Sequence, residues 1–166
     1  MNDLPAGGPG TARRVLRVRT AVTDAPIDSR EVLQEIGSTG DGAVVLFEGR
    51  VRDTNDGRQV TGLRYEAYRE MAERELAAIA DETARRYALG EIVVVHRTGR
   101  LEPGDVSVSI AVAAPHRDAA YQASRSVIED IKRRLPVWKH ERYADGTVAW
   151  VAAPLPEPDD GRQGPG

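Results

Sequence analysis

The chain has 166 residues, 40% of them hydrophobic and 30% charged, with a net charge of −3 and no cysteine. That size suits one domain with a sizeable core, and the mildly acidic balance gives no global field toward nucleic acid or an acidic membrane. The missing cysteine excludes disulfides, thiolate nucleophiles, zinc–thiolate sites and any persulfide carried on this chain.

Residues 1–12 are dense in glycine and proline, lack the apolar stretch of a secretory signal and are expected to form a disordered tail. One folded domain is expected over 13–152, and a second disordered, Pro/Gly-rich tail over 153–166. No apolar run approaches the roughly 18 residues of a membrane span, so a cytoplasmic location and no membrane partner are expected. Within the domain, residues 14–22 read as a strand, with Val15, Leu16, Val18 and Val22 set among arginines. Asp28 followed by Glu31 fits a capping box opening a short helix through Ile36, which Gly37 closes. GAVVLFEGRV over 42–51 is an apolar strand, DTNDGR over 53–58 a polar turn, and residues 60–68 a further strand.

Residues 70–87 read as a long helix, because Leu76, Ile79, Ala80, Thr83 and Tyr87 recur at spacings of three and four. Gly90 closes it, and EIVVVHRT over 91–98 is a strand in which His96 is read as packed or hydrogen-bonded. A turn at 102–105 leads to a strand over 106–114. A second long helix follows over 117–135, with Ala120, Ala123, Val127, Ile131 and Leu135 on one face and Pro136 as its stop. Residues 137–143 and 147–151 read as a hairpin around Asp145-Gly146. The fold class is therefore α+β, a mixed sheet with two long helices, not a regular βαβα alternation.

Only two of the 23 basic residues are lysines, Lys132 and Lys139, and they sit seven positions apart. Arginine would serve a helix end or a solvated strand face equally well, but its guanidinium stays charged. A lysine amine among crowded cations in a desolvated pocket can lose its proton and act as nucleophile or base. The C-terminal dipole of the helix opposes that at Lys132, while Arg133, Arg134, Lys139 and His140 favour it. Pro115-His116-Arg117 opens the same helix, where unpaired N–H groups, an imidazole and a guanidinium suit an anion. Strand alternation puts Arg50 and Arg52 on one face at the end of their strand, again suited to an anion. No carboxylate pair, Gly-rich phosphate loop, Ser-His-Asp set or metal motif is legible, and no cofactor is expected. With five Tyr, two Trp and one Phe, and no basic–aromatic interleaving, nucleic-acid binding is disfavoured.

Five segments in this order carry a resemblance: GAVVLFEGRVRDTN (42–55), YEAYREMAERELAAIADE (65–82), VVVHRTGRLEPGD (93–105), APHRDAAYQA (114–123) and IKRRLPVWKHE (131–141). Over roughly residues 42–151 the chain resembles the large, catalytic subunit of molybdopterin synthase. The resemblance implies an α/β-hammerhead-like fold. It implies a sulfurtransferase that puts two sulfur atoms into cyclic pyranopterin monophosphate. The sulfur would come from the C-terminal thiocarboxylate of a small ubiquitin-like partner ending in Gly-Gly, which agrees with the missing cysteine. The resemblance also implies catalytic roles for Lys132, Lys139 and Arg52. Substrate contacts are implied for Arg50, Val51, Arg52, His116, Arg117, Lys132, Lys139, His140 and Glu141. Arg50 stands where lysine is frequent in the family, and His140 where arginine is. A homodimer of this subunit within a heterotetramer is implied. The competing reading is a non-catalytic scaffold that binds an anion or a partner.

His116 and Lys132 lie sixteen positions apart on one expected helix, a span of about 24 Å. A pterin cannot touch both ends. Either the helix breaks, or the pocket takes His116 and Arg117 from a second copy; the shared pocket across a two-fold dimer is the favoured expectation.

Overall fold

The computed structural model describes residues 16–151, and the two expected tails lie outside them. The elements run β1 (Arg17–Thr23), α1 (Ser29–Gln34), β2 (Ala43–Arg50), β3 (Thr54–Asn55), β4 (Arg58–Ala67), α2 (Arg69–Arg86), β5 (Glu91–Arg97), β6 (Gly99–Leu101), β7 (Val106–Ala114), α3 (Arg117–Arg134), β8 (Val137–Tyr143) and β9 (Val148–Val151). They form two sheets. The first has the order β1-β5-β7-β2, with β1 parallel to β5 and the other pairs antiparallel. The second has the order β3-β4-β8-β9, and β6 also pairs with β4. No helix among the described residues is long and apolar enough to cross a membrane.

The two long helices lie on one face of the first sheet. Leu76, Ile79 and Ala80 of α2 and Ala123, Val127 and Ile131 of α3 meet Ile92, Val94, Ile110 and Val112 of β5 and β7 in one core. The short α1 covers part of the other face, where Val32 packs with Val93 and Ala111. β7 is therefore sandwiched, and all but the first of its residues are buried; that is why its sequence is a near-continuous run of small and apolar residues. The amphipathic stripe of each long helix, not its intrinsic propensity, is what anchors it.

Three local features depart from the sequence reading. The polar turn over 53–58 is a two-strand hairpin: Asp56 and Gly57 both take positive φ, 48° and 75°, so β3 folds tightly onto β4 in the manner of a type I′ turn. β6 was not expected, because three residues are too few to display a period. The long helix α2 is closed by Ala88, not Gly90. The Leu89 N–H donates to Ala84 O (3.0 Å) and the Ala88 N–H to Arg85 O (3.4 Å), with Ala88 left-handed at φ 50°. This is the Schellman arrangement with alanine at the position where glycine is usual. The Asp28 cap holds, and its Oδ1 accepts from the Arg30 N–H at 2.9 Å.

Candidate active site

β2 ends where its register against β7 slips, between Gly49 and Arg50. A bulge of this kind bends the strand and re-aims its side chains. Arg50 and Arg52 both line a cavity of about 500 Å³ bounded by the end of β2, the last turn of α3 and the start of β8. Lys132 of α3 and Lys139 of β8 line the same cavity. Phe47, Val108, Ile128, Ile131 and Leu135 supply apolar wall, and Tyr65, His96 and Ser107 supply polar floor. Lys132 follows Ile128 by four positions and Ile131 by one, so it stands beside the buried stripe of α3 at the point where the core opens. Lys139 reaches the cavity because the antiparallel register sets it opposite Tyr65 on β4.

Two of the four cations are neutralised locally. The Arg50 Nε donates to Glu48 Oε2 at 2.8 Å, and the Lys139 ammonium pairs with Glu141. Among the described residues, Arg52 and Lys132 have no ion-pair partner. The cavity is open to solvent on one side, its walls are largely apolar, and the exposed cations Arg52 and Lys132 at its mouth leave it with uncompensated positive charge that suits an anion. His96 is only 6% exposed and its pKa is pushed down to about 4, chiefly by burial, so it enters the cavity floor as a neutral imidazole. It stands edge-on to Tyr65, ring centroids 5.5 Å apart.

The expected site residues divide into three groups. Arg50, Arg52, Lys132 and Lys139 share the cavity. Val51 and Glu141 lie just behind it, bordering a small adjoining cleft with Asn55 and Thr54. Val51 packs against Leu63 and Leu101, and Glu141 is 2% exposed. His140, Arg117 and His116 are not in this cavity. Strand alternation turns His140 to the opposite face of β8, with its Nε2 3.8 Å from Glu66 Oε2 and its ring against Trp150. His116 caps the far end of α3, which runs unbroken from Arg117 to Arg134. Tyr65, Ser107 and Asn55 were missed by sequence reasoning. Tyr65 and Ser107 are visible only once β4 and β7 are registered against their neighbours. The Asp56-Gly57 pair was a hairpin signal that pointed to Asn55. Among the described residues no cluster of three or more His, Asp or Glu side chains could hold a metal.

Fold and site together define an α+β protein that gathers two amines and two arginines around one cavity. The sequence profile of the MoaE protein family matches residues 22–134, and the chain belongs to that family. The molybdopterin synthase catalytic subunit of Halalkalibacterium halodurans is 42% identical over 82% of this chain and 87% of its own length. The crystal structure of molybdopterin synthase from Staphylococcus aureus superposes with a TM-score of 0.74 at 38% identity, covering 79% of this chain and 95% of that one. A complex of subunits 1 and 2 of molybdopterin-converting factor from Helicobacter pylori shares the fold with a TM-score of 0.60 at 21% identity, covering 82% and 89%.

Proposed function

We propose that this chain is the catalytic subunit of a molybdopterin synthase, a sulfurtransferase of molybdenum cofactor biosynthesis. The cavity holding Arg52, Lys132 and Lys139 against apolar walls is the observation that carries the reading. The substrate is cyclic pyranopterin monophosphate, whose phosphate finds its counter-charge in the unpaired arginine and lysine. The sulfur arrives on the C-terminal thiocarboxylate of a small ubiquitin-like partner ending in Gly-Gly. A terminus without side chains is slender enough to enter a narrow cleft as an extended strand. Lys132 is the central amine. It either takes over the partner's acyl group while the sulfur goes to the pterin, or moves the proton as the thiocarboxylate sulfur attacks. Lys139 stabilises the oxyanion that develops at the partner's carbonyl.

His116 and Arg117 belong to this reading through a second copy. The unbroken α3 separates them from Lys132 by about 24 Å, which supports a pocket shared across a two-fold axis. β2 is an edge strand of its sheet. The groove between β2 and the outer flank of α3 is lined by Val45, Phe47, Tyr121 and Ile128 and runs on to Lys132. Two copies joined along that groove with antiparallel α3 helices would bring each His116-Arg117 pair to the other copy's Lys132. Reconstitution tests the whole reading. Purified chain, thiocarboxylated partner and pterin precursor should yield the dithiolene product, and mass spectrometry should detect any partner–Lys132 adduct. Binding of partner and pterin with no sulfur transfer would leave a scaffold.

A further inference from the structure

Glu141 is a buried carboxylate just behind the cavity, and both its oxygens are engaged. Oε1 meets the Lys139 ammonium. Oε2 accepts from Asn55 Nδ2 at 2.7 Å and from the Tyr143 hydroxyl at 2.7 Å. These three donors come from two places in the fold: Lys139 and Tyr143 from the same face of β8, and Asn55 from the tight β3–β4 hairpin. Tyr143 is itself covered, with the Arg58 guanidinium 3.6 Å above its ring. Arg58 in turn is held by Asp145 at 3.0 Å and by Thr147, across the β8–β9 turn. Burial alone would raise the Glu141 pKa; the Lys139, Tyr143 and Asn55 donors more than offset it and leave the group below the ordinary carboxylate range. A buried carboxylate held on both oxygens is a rigid anchor, because each donor restricts it and the loss of one leaves a lone pair unmatched in a dry place.

We propose that Asn55 and Tyr143, acting through Glu141, are positioning residues that hold the Lys139 amine at a fixed point of the cavity while Lys132 is left unanchored. This rests on the catalytic reading of the cavity given above. The asymmetry is physical. Lys139 is tied to an anion that two further donors, Asn55 and Tyr143, immobilise, whereas Lys132 has no carboxylate partner among the described residues. An oxyanion-stabilising cation gains from preorganisation, because it need not reorient when charge develops. An amine that exchanges a proton or an acyl group needs the freedom that Lys132 keeps. The groups facing Lys139 are Glu141 on its own strand, Tyr65 on β4, His96 on β5, Arg50 at the end of β2, Arg52 just beyond it, and Lys132 on α3. Of these only Glu141 is paired with it.

The composition makes the test direct. With two lysines in the chain, lysine labelled at the amine or the adjacent carbon gives two side-chain NMR signals, assigned through Lys132→Arg and Lys139→Arg. In the wild-type chain the Lys139 signal is expected to be the more ordered. Tyr143→Phe and Asn55→Leu should each mobilise and shift that signal while leaving the Lys132 signal in place. In the reconstituted synthase each should lower kcat about tenfold with little change in KM for the pterin, the scale of one lost charge-assisted hydrogen bond. In a Glu141→Gln background neither substitution should lower kcat further, because the path runs through that carboxylate. Multiplicative losses in that background, or an unmoved Lys139 signal in both variants, would overturn the proposal. Inactive wild-type enzyme would instead sink the catalytic reading on which it rests.

Discussion

Lys132 and His96 line the same cavity from opposite extremes, an exposed amine at its mouth and a buried imidazole in its floor. Lys132 lies beside the core stripe of α3 and faces a cavity without an anionic partner among the described residues. Lys132→Arg retains the positive charge and removes the exchangeable amine. In reconstituted enzyme it should lower kcat by about 10²-fold or more, the usual weight of a nucleophile or acid–base group; a normal rate would end the assignment. His96 is buried and held neutral, with its pKa lowered to about 4 from an unfolded value near 6.5. The unfolded chain therefore binds this proton more readily than the folded one between those values. Stability from His96 is complete above about pH 6.5 and is lost as pH falls toward 4, by at most about 3 kcal/mol. Denaturant titrations across that range should show a weaker acid slope in His96→Gln than in the wild type.

At the scale of elements, the long helices were legible and the short strands were not. α2 and α3 each bury a stripe at spacings of three and four, repeated over 18 residues, and both were read to within one or two residues of their ends. β3 and β6 have two and three residues, too few for any alternation to register, and exist because β4 offers them a free edge. The end of α2 was misplaced for a different reason. Gly90 is the residue that a left-handed closure prefers, yet Ala88 adopts it, because Leu89 must turn back to bury its side chain in the core. Alanine in that region carries about 1 kcal/mol of strain or more. Ala88→Gly is thus expected to raise the stability by about 0.5–1 kcal/mol, measured by denaturant unfolding, because the relief of strain exceeds the added backbone entropy of the unfolded chain. No change, or a loss, would mean that the alanine methyl contributes packing of equal weight. Further along, Arg134 ties the end of α3 to α2 through Glu75 at 2.6 Å and Glu82 at 2.7 Å. That clamp steadies the turn that carries Lys132.

For the whole molecule, the decisive length is that of α3. Its continuity places His116 and Arg117 at one end and Lys132 at the other. Under the shared-pocket reading, Lys132→Arg and Arg117→Ala chains are each inactive alone. Co-expressed in equal amounts, half the dimers would be mixed, and one pocket of each mixed dimer would be intact. Activity of about a quarter of wild type is expected from that mixture, and none at all from a pocket built within one chain. An independent check is the mass of the chain in solution, which should correspond to a dimer before the small partner is added.

The sequence by itself determined the order of the longer elements, the two amphipathic helices, the absence of any cysteine and the pairing of two rare amines near the end of the second helix. These are local properties, carried by composition and by spacing along a single element. Only the tertiary structure decided which cations share a cavity. Arg52, Lys132 and Lys139 meet through a bulge at the end of β2, the packing of α3 and the register of β8, and the same register turns His140 away. It also decided that the two amines are unequal. The carboxylate that distinguishes them is anchored by Asn55, 86 residues away in the chain, and contacts of that range are set by packing, not by local pattern.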